Sequence, residues 1–394
     1  MMRKAIALSA ALLVLGLPAC GNDGKSRLTP PTGSPSPSGP PIGLTITPAA
    51  GTDGALISTE IGAEVSDGAV TDVTLSAAGG GPVPGALRED GTAWVPDRPL
   101  EPDTTYTATV TATGPAGQTA TAETTFTTMD APERRTGTGM YLFDDQVYGV
   151  AMPVVVEFLQ PVPEEYRAGV QRRMFVTTDP PQPGVWHWLG DGRQAFYRAR
   201  EYWQPGTTID VRIGLDGHPT GDGRYGDTDR RATVTIGERT EVEVDNATKQ
   251  LSVYVDGELV RQMPVSLGKP TTPSSSGTMV IMSKERETVF DTFAELGPEE
   301  GYRIDIEYAM RLTWGGEFIH AAPWSVADQG VRNVSHGCLN LSTSNAKWLF
   351  GMARIGDPVT VTGTERALEH GNGWTAWELS WDEFAAGSAL PTDN

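Results

Sequence analysis

The stretch TEVEVDNATKQLSVYVDGELVRQMPVSLG, residues 240–268, decides the fold class of this chain. Apolar and polar residues alternate along it, which is the period of a β-strand with one buried face. Asp256 and Gly257 separate two of the alternating runs, and an Asp-Gly pair in that position is a strong signal for a β-hairpin. Further strand-like runs continue to DPVTVTG, residues 357–363. We therefore expect a β-rich domain over residues 239–363.

Two further β modules precede this domain. Residues 42–129 contain short Thr- and Val-rich alternating runs between Gly and Pro turns, and residues 130–238 continue the pattern with more aromatic runs. Short strands separated by regular turn signals are typical of an immunoglobulin-like (Ig-like) β-sandwich. The sequence thus predicts a mainly β protein with two Ig-like modules ahead of the third domain.

Two helical segments are expected near the C-terminus. In STSNAKWLFGMARIG, residues 342–356, Ser342 or Thr343 can cap the start of one short helix and Gly356 follows its end. Residues 364–394 form an aromatic C-terminal extension. Its Trp377, Trp381 and Phe384 have the i, i+4, i+7 spacing of one helix face, which predicts docking on a neighbouring domain.

The N-terminus has the pattern of an export signal. Positive residues precede AIALSAALLVLGL at 5–17, an apolar run too short to span a bilayer and typical of a signal peptide. It ends in Leu17-Pro18-Ala19-Cys20, the arrangement of a bacterial lipoprotein cleavage site. Residues 1–20 are therefore expected to be a lipoprotein signal peptide, with ordinary secretion as the alternative. Residues 21–41 are a Pro/Ser/Gly linker.

This pattern predicts where the protein resides. Acylation of Cys20 would anchor the protein to the outer face of the cytoplasmic membrane, within the cell envelope. The chain carries 50 acidic against 30 Lys and Arg residues, for a net charge of −20. No strong positive charge is available to neutralise phosphates, so nucleic acid is not an expected partner.

The chain has two cysteines, and lipidation of Cys20 would leave Cys338 alone outside the cytoplasm. A lone thiol there is either buried and inert or chemically active. The segment IHAAPWSVADQGVRNVSHGCLN, residues 319–340, surrounds it with groups that suit a nucleophile. His320 and His336 are candidate bases, and Gly337 allows a sharp turn at which backbone amides can hold an oxyanion. A zinc site formed by His320, His336 and Cys338 is the alternative chemical reading.

A histidine followed after fifteen residues by Ser-His-Gly-Cys, an apolar residue and Asn resembles the signature of the L,D-transpeptidases, the YkuD-type cell-wall enzymes. The segments VSLGKPTTPSSSGTMVI (265–281) and GYRIDIEYA (301–309) resemble the same family, in the branch with two Ig-like domains. The resemblance implies that Cys338 is the nucleophile and His320 its base, oriented by the backbone carbonyl of residue 321. It also implies that His336 supports the loop. The backbone amides of residues 336–338 would form the oxyanion hole. The residues that it implies contact substrate are Tyr302, Gly315, Gly316, Ser335 and Asn340.

The resemblance also implies a reaction. Cys338 would attack a tetrapeptide stem of peptidoglycan, release D-Ala and form a thioester. The side-chain amine of a diamino acid in a neighbouring stem would then complete a 3→3 cross-link. No cofactor or metal is required, and carbapenem-type β-lactams are expected to acylate Cys338. Phe290, in ETVFDT, is a candidate for the flap position at which relatives carry methionine.

Other functions remain open from the residues alone. Water could take the thioester in place of an amine, which would make the protein an L,D-carboxypeptidase, or a protein could be coupled to the wall. The Ig-like modules could instead make it a non-catalytic wall-binding scaffold. The acidic loop 216–229 could bind calcium through its aspartates but is better explained as a solvated turn, and His218 and His370 are expected to be solvated.

Overall fold

The computed structural model describes residues 39–291, 293–301 and 303–392 and is built mainly of β-strands. The predicted signal peptide, Cys20 and most of the predicted linker lie outside the described residues. Within the described part, the helices are all too short or too polar to cross a membrane. The predicted mainly β fold class is confirmed.

The first module has two facing four-stranded sheets. One has the strand order β1-β3-β6-β5 and the other β2-β8-β7-β4. Burial alternates along β7, where every second residue from Tyr106 to Ala112 faces the core, as the Thr-rich alternation predicts. The strands are β1 (Gly43–Thr47), β2 (Thr52–Ala55), β3 (Ile61–Ser66), β4 (Ala69–Ala77), β5 (Gly85–Leu87), β6 (Ala93–Pro96), β7 (Thr105–Thr113) and β8 (Thr119–Thr128).

The second module contains two four-stranded sheets and a small three-stranded sheet. Their orders are β10-β12-β15-β14, β11-β19-β16-β13 and β17-β18-β9. A short helix, α1 (Glu164–Gln171), was not expected from the sequence. The strands are β9 (Arg135–Thr136), β10 (Thr138–Met140), β11 (Val147–Tyr148), β12 (Val154–Phe158), β13 (Met174–Asp179), β14 (Gly184–Trp188), β15 (Gln194–Ala199), β16 (Thr208–Ile213), β17 (Pro219–Gly221), β18 (Arg224–Gly226) and β19 (Arg230–Ile236).

The third domain is formed by a six-stranded sheet, β22-β21-β20-β28-β23-β29, and a four-stranded sheet, β24-β25-β26-β27. Asp256 and Gly257 both have positive φ, +50° and +82°, as the two central residues of the predicted hairpin turn require. The strands are β20 (Thr240–Asp245), β21 (Gln250–Val255), β22 (Glu258–Pro264), β23 (Ser275–Val280), β24 (Ser283–Asp291), β25 (Arg303–Arg311), β26 (Phe318–Ala321), β27 (Leu339–Leu341), β28 (Pro358–Thr362) and β29 (Arg366–Ala367).

The helices of the third domain include the one predicted after the cysteine. It is α3 (Thr343–Met352), and the Ser342 hydroxyl accepts the amide hydrogen of Asn345 as its N-cap. A shorter segment, α2 (Phe293–Glu300), is interrupted at Gly297, and a 3₁₀ turn covers Pro323–Ser325.

The aromatic extension differs from its predicted helix. Only α4 (Trp381–Ala386) is helical, and Trp377 lies in a turn before it. The Ser380 capping box starts the helix four residues after Trp377, so the three aromatic residues do not share one helix face. They surround Arg198 of β15 instead. Its guanidinium carbon lies 4.4 Å from the ring centres of both Trp377 and Phe384.

Candidate active site

The pairing of two strands places Cys338 beside His320. Strands β26 and β27 are parallel, with Ile319 opposite Leu339 and His320 opposite Asn340. Cys338 therefore stands at the entrance to β27, next to the strand that carries His320. Both residues line a cavity of about 460 Å³ in the third domain. Residues 18 positions apart in sequence are thus brought to one surface by the sheet.

The His320 imidazole is held in one orientation. Its Nδ1 lies 2.8 Å from the backbone carbonyl oxygen of Ala321, which can only accept, so Nδ1 carries the hydrogen and Nε2 keeps its lone pair. This is the backbone contact that the resemblance implied for residue 321. Burial lowers the pKa of His320 to about 4, and the Ala321 hydrogen bond opposes this shift only partly. The imidazole is therefore neutral at pH 7.

The Cys338 thiol is also neutral at rest. Burial raises its pKa to about 12, a backbone contact from Phe318 opposes the rise, and the Glu317 carboxylate adds to it. The sulfur donates to the carbonyl oxygen of Gly316 at 3.6 Å. Among the described residues, no hydrogen bond joins the thiol to His320. The resting site is thus an uncharged thiol near an uncharged base.

The loop before Cys338 is organised by Ser335. Its hydroxyl donates to the carbonyl oxygen of Cys338 at 2.6 Å and accepts the amide hydrogen of Gly337 at 3.1 Å. Gly337 has φ of +129°, a conformation that side-chain-bearing residues rarely adopt. The Gly337 amide, expected to donate to the oxyanion, donates its hydrogen to Ser335 in this structure. Both of these hydrogen bonds of the Ser335 hydroxyl are made within the loop, although Ser335 also lines the cavity.

A buried polar layer beneath the loop was missed by the sequence interpretation. The Ser274 hydroxyl accepts the amide hydrogen of Gly268 at 2.9 Å and donates to the carbonyl oxygen of Gly337 at 2.6 Å. The neighbouring Ser275 donates its hydroxyl and amide hydrogens to the Glu317 carboxylate, at 2.7 and 3.0 Å. The sequence around these serines, between Pro273 and Gly277, gave no indication of these partners. In the structure they support the cysteine loop.

His336 lies at the edge of the same cavity. Its Nε2 is 3.0 Å from the ammonium nitrogen of Lys269, which can only donate, so Nε2 accepts and the ring proton is on Nδ1. This contact fixes the loop from the side opposite Ser335. Within the described ranges, no three His, Cys, Asp or Glu side chains are arranged to hold a metal ion, and the alternative zinc ligand set does not form.

Asn340 offers an unused acceptor to the cavity. The residue is 3% exposed, and its amide nitrogen lies 3.3 Å from the Ser325 hydroxyl oxygen. That hydroxyl donates to the carbonyl oxygen of Ala322, so it can only accept from Asn340, which fixes the orientation of the amide. The Oδ1 atom of Asn340 is buried and has no hydrogen-bond partner among the described residues. A buried acceptor left unpaired favours a ligand that donates to it.

The Gly315–Gly316 turn faces the thiol and is held from two directions. The Gly315 amide donates to Oδ1 of Asn372 in the C-terminal extension at 2.8 Å. The adjacent Trp314 ring lies 6.2 Å from the Tyr141 ring of the second module. Both glycines were predicted to contact substrate, and both are exposed beside the cysteine. Tyr302, predicted to do the same, lies outside the described residues.

Phe290, the candidate for the flap position, lies beside His320. It lies near the end of β24, lines the cavity and meets the His320 ring edge-on with 5.3 Å between ring centres. Its ring also lies 4.6 Å from that of Phe318. Phe290 therefore covers the base and contributes to the burial that lowers the pKa of His320.

The acidic loop is neither a calcium site nor a solvated turn. Three of its carboxylates are paired with arginines from other parts of the second module, within 3.2 Å. These ion pairs are Asp216 with Arg135, Asp227 with Arg230, and Asp229 with Arg212.

The two histidines expected to be solvated are also packed. His218 Nδ1 lies 3.2 Å from the Ser58 hydroxyl, and burial lowers the pKa of His218 to about 4. His370 Nε2 lies 3.2 Å from Nε2 of His187. Both contacts join residues more than 150 positions apart, so the local Gly-rich sequence gave no sign of them.

Comparisons with known proteins identify the family of this chain. A family model described as the L,D-transpeptidase catalytic domain matches residues 239–361, and one described as a bacterial Ig domain matches residues 52–219. The chain is 33% identical over 393 residues to L,D-transpeptidase 2 of Mycobacterium tuberculosis strain CDC 1551, covering 97% of this chain and 94% of that protein. The chain belongs to the L,D-transpeptidase family. It is accordingly an acyltransferase with functions in the cell wall.

The chain is also similar to a second relative and to a solved structure. The chain is 38% identical over 340 residues to L,D-transpeptidase 5 of Mycobacterium tuberculosis strain H37Rv, covering 84% of this chain and 73% of that protein. A structure of an LD transpeptidase in complex with imipenem is 33% identical, with a TM-score of 0.48 over 57% of this chain and 99% of that one. The bacterial Ig match runs across the boundary predicted at residues 129 and 130 between the two modules.

Proposed function

We propose that this L,D-transpeptidase forms 3→3 cross-links in peptidoglycan, with Cys338 as nucleophile and His320 as general base. The observation that carries the proposal is a shared cavity. Cys338, His320 with its oriented imidazole, and Asn340 all line it, and the buried Oδ1 of Asn340 has no hydrogen-bond partner among the described residues. A peptide donor would supply a carbonyl carbon for the sulfur to attack. It would also supply an amide hydrogen that Asn340 can accept.

The first half of the reaction acylates the enzyme. The sulfur attacks the carbonyl between the third residue of a tetrapeptide stem and the terminal D-Ala, and the thiol proton passes to Nε2 of His320. The amide of Cys338 donates to the resulting oxyanion, because the neighbouring Gly337 amide is committed to Ser335. The carbon–nitrogen bond then breaks, His320 returns the proton to the departing amine, and D-Ala leaves a thioester on Cys338.

The neutral resting pair sets the timing of the proton transfer. With the pKa of Cys338 at about 12 and that of His320 at about 4, a thiolate–imidazolium pair is not the resting state. The proton therefore leaves the sulfur as the new carbon–sulfur bond forms, which is general base catalysis. A buried neutral thiol also limits reaction with small electrophiles that do not occupy the cavity.

The second half transfers the acyl group. A side-chain amine of a diamino acid in another stem attacks the thioester, and a new amide bond forms as the carbon–sulfur bond breaks. The amine proton passes through His320 back to the sulfur, which restores the starting enzyme. Carbapenem-type β-lactams would acylate Cys338 by the same first step, with the strained ring opened instead of D-Ala released.

The N-terminal pattern completes the proposal. Lipidation of Cys20 would tether the enzyme to the outer face of the cytoplasmic membrane, and the Pro/Ser/Gly linker would extend the modules toward the wall. Metabolic labelling of the full chain with a fatty-acid analogue tests this placement. We expect label on the native chain and none on Cys20→Ser.

Acylation kinetics test the assignment of the catalytic residues. We expect a carbapenem to add one adduct to the native enzyme and none to Cys338→Ala, measured by intact-protein mass spectrometry. His320→Ala is expected to slow acylation by about 100-fold or more, the usual contribution of a general base. His336→Ala removes the Lys269 contact but neither the nucleophile nor the base, and is expected to cost less than about tenfold. Equal losses in the two histidine variants, each checked for native circular dichroism, would contradict the choice of base.

A further inference from the structure

A second cavity lies on the other side of the Gly315–Gly316 turn from His320. Its volume is about 580 Å³, and three separate parts of the chain contribute to it. The loop 189–191 between β14 and β15 comes from the second module, Gly315 from the third domain, and residues 366–372 from β29 and the C-terminal extension. The proposed acylation step uses none of these side chains.

Only the glycine turn separates this cavity from the reactive sulfur. The carbonyl oxygen of Gly316 lies 3.6 Å from Sγ of Cys338, and the adjoining Gly315 lines the second cavity. Neighbouring Cα atoms are about 3.8 Å apart, and neither residue has a side chain that could block a path over the turn. Gly316 has φ of +89°, so the backbone conformation itself favours glycine there.

The charges in the second cavity have both signs. Asp191 and Glu369 supply carboxylates, and Arg366 supplies a guanidinium whose Nη1 lies 3.9 Å from the Glu317 carboxylate. Over the residues that the structure describes, neither Asp191 nor Glu369 forms a salt bridge, and the Arg366 side chain is 49% exposed. Such a set suits a ligand that carries an ammonium group close to a carboxyl or carboxamide group.

We propose that this cavity binds the acceptor, as the amine-bearing end of a diamino acid in a second stem peptide. This inference rests on the proposed transpeptidation. During the second half-reaction the donor acyl group is bonded to Cys338 and fills the first cavity, so the acceptor needs a separate approach. The second cavity provides one, next to the sulfur. Asp191 and Glu369 bind the ammonium form that predominates at neutral pH, and Arg366 binds the neighbouring carboxyl or carboxamide oxygen.

The transfer balances without another reactant. The bound ammonium releases one proton to the solvent and, as the free amine, attacks the thioester carbonyl across the glycine turn. A carbon–nitrogen bond forms and the carbon–sulfur bond breaks. The second amine proton passes through His320 to the sulfur. The second Ig-like module thereby takes a direct part in the site, because Asp191 belongs to its β14–β15 loop.

A two-step assay on the full protein separates donor from acceptor binding. The test variant is Asp191→Asn combined with Glu369→Gln, which removes both charges but keeps the side-chain shapes. Asn retains the oxygen that accepts the amide hydrogen of Arg193. The matched control is Glu365→Gln, an exposed carboxylate four residues earlier that does not line the cavity. The first-turnover burst of D-Ala release from a disaccharide-tetrapeptide, one per enzyme, reports acylation, and dimer formation at rising acceptor concentration reports transfer.

We expect the double variant to raise the acceptor KM by about tenfold, the combined effect of two partly exposed ion pairs. Its D-Ala release should match the native enzyme, and Glu365→Gln should match it in both steps. An unchanged acceptor KM in the double variant would overturn the acceptor site and leave the proposed function intact. Failure of the native enzyme to release any D-Ala would instead overturn the proposed function on which this inference rests.

Discussion

Removal of the Ser274 hydroxyl is expected to loosen the cysteine loop from below. The side chain is fully buried and joins two backbone groups, since it accepts from the Gly268 amide and donates to the Gly337 carbonyl. In Ser274→Ala both groups lose their partner in a place that water does not reach. The change leaves every residue that lines the catalytic cavity intact.

The contacts set the size of the effect. A buried polar group left without a partner costs about 1–3 kcal/mol, so two such groups cost about 2–6 kcal/mol. The cost is local, because the Gly337 carbonyl belongs to the loop that presents Cys338. If about 1.4 kcal/mol of this cost is added to the activation free energy of acylation, acylation slows tenfold.

Ser276→Ala is the matched control on the same strand. Its hydroxyl lies 2.5 Å from that of Thr364 and accepts the Thr364 amide hydrogen at 2.9 Å, so it also loses two hydrogen bonds, both partly buried. Those bonds hold the end of β28 and β29 and do not reach the cysteine loop. This variant separates a general loss of stability from a loss of loop geometry.

Two measurements on these variants test whether the serine layer positions Cys338. We expect carbapenem acylation to slow by at least about tenfold in Ser274→Ala and to stay within about twofold in Ser276→Ala. Hydrogen exchange followed by mass spectrometry should show faster exchange over residues 335–340 in the first variant only. Native acylation and native exchange in Ser274→Ala would show that the serine layer does not position Cys338.

Two further outcomes follow from the backbone and the ionisation of the site. Gly337→Ala is expected to destabilise the loop by about 1–3 kcal/mol and to slow acylation, because φ of +129° is strained for alanine. The control is Gly351→Ala, on the open face of α3. Its effect on protein stability should be neutral or favourable. Acylation by a carbapenem should change by less than about twofold between pH 7.5 and 5.0. With the pKa of His320 at about 4, roughly nine-tenths of the base is still neutral at pH 5, and protonation removes it only below that pH. A fall of about thirtyfold would indicate an ordinary histidine pKa of about 6.5.

Local patterns of the chain predicted the elements that depend on neighbouring residues. The Asp256-Gly257 turn follows from the positive φ that a tight hairpin needs, and Ser342 follows from its position before an apolar helical run. The spacing of His320 and Cys338 suggested a paired site because a loop of that length can return to the same sheet. The parallel register of β26 and β27 now gives the structural basis of that spacing.

Most of the missed features depend on distant contacts. Ser274 and Ser275 act through Gly337 and Glu317, more than 40 residues away, and no local periodicity indicates such partners. The acidic loop was misjudged because two of its three arginines, Arg135 and Arg212, come from distant strands. The C-terminal helix is the exception, because the signal for its start is local. The helix begins after the Ser380 capping box, and an interpretation from apolar spacing, which extended it back to Trp377, gave that signal too little weight.

Product analysis with the chain from residue 42 onward is the most direct test of the proposed reaction. Purified disaccharide-tetrapeptide would be incubated with the native enzyme and with Cys338→Ala, and the products identified by mass spectrometry. We predict dimers that have lost one D-Ala, formed by the native enzyme and absent with Cys338→Ala. Tripeptide alone would mean that water takes the thioester and that the enzyme is an L,D-carboxypeptidase. Dimers formed by Cys338→Ala would contradict the cysteine mechanism itself.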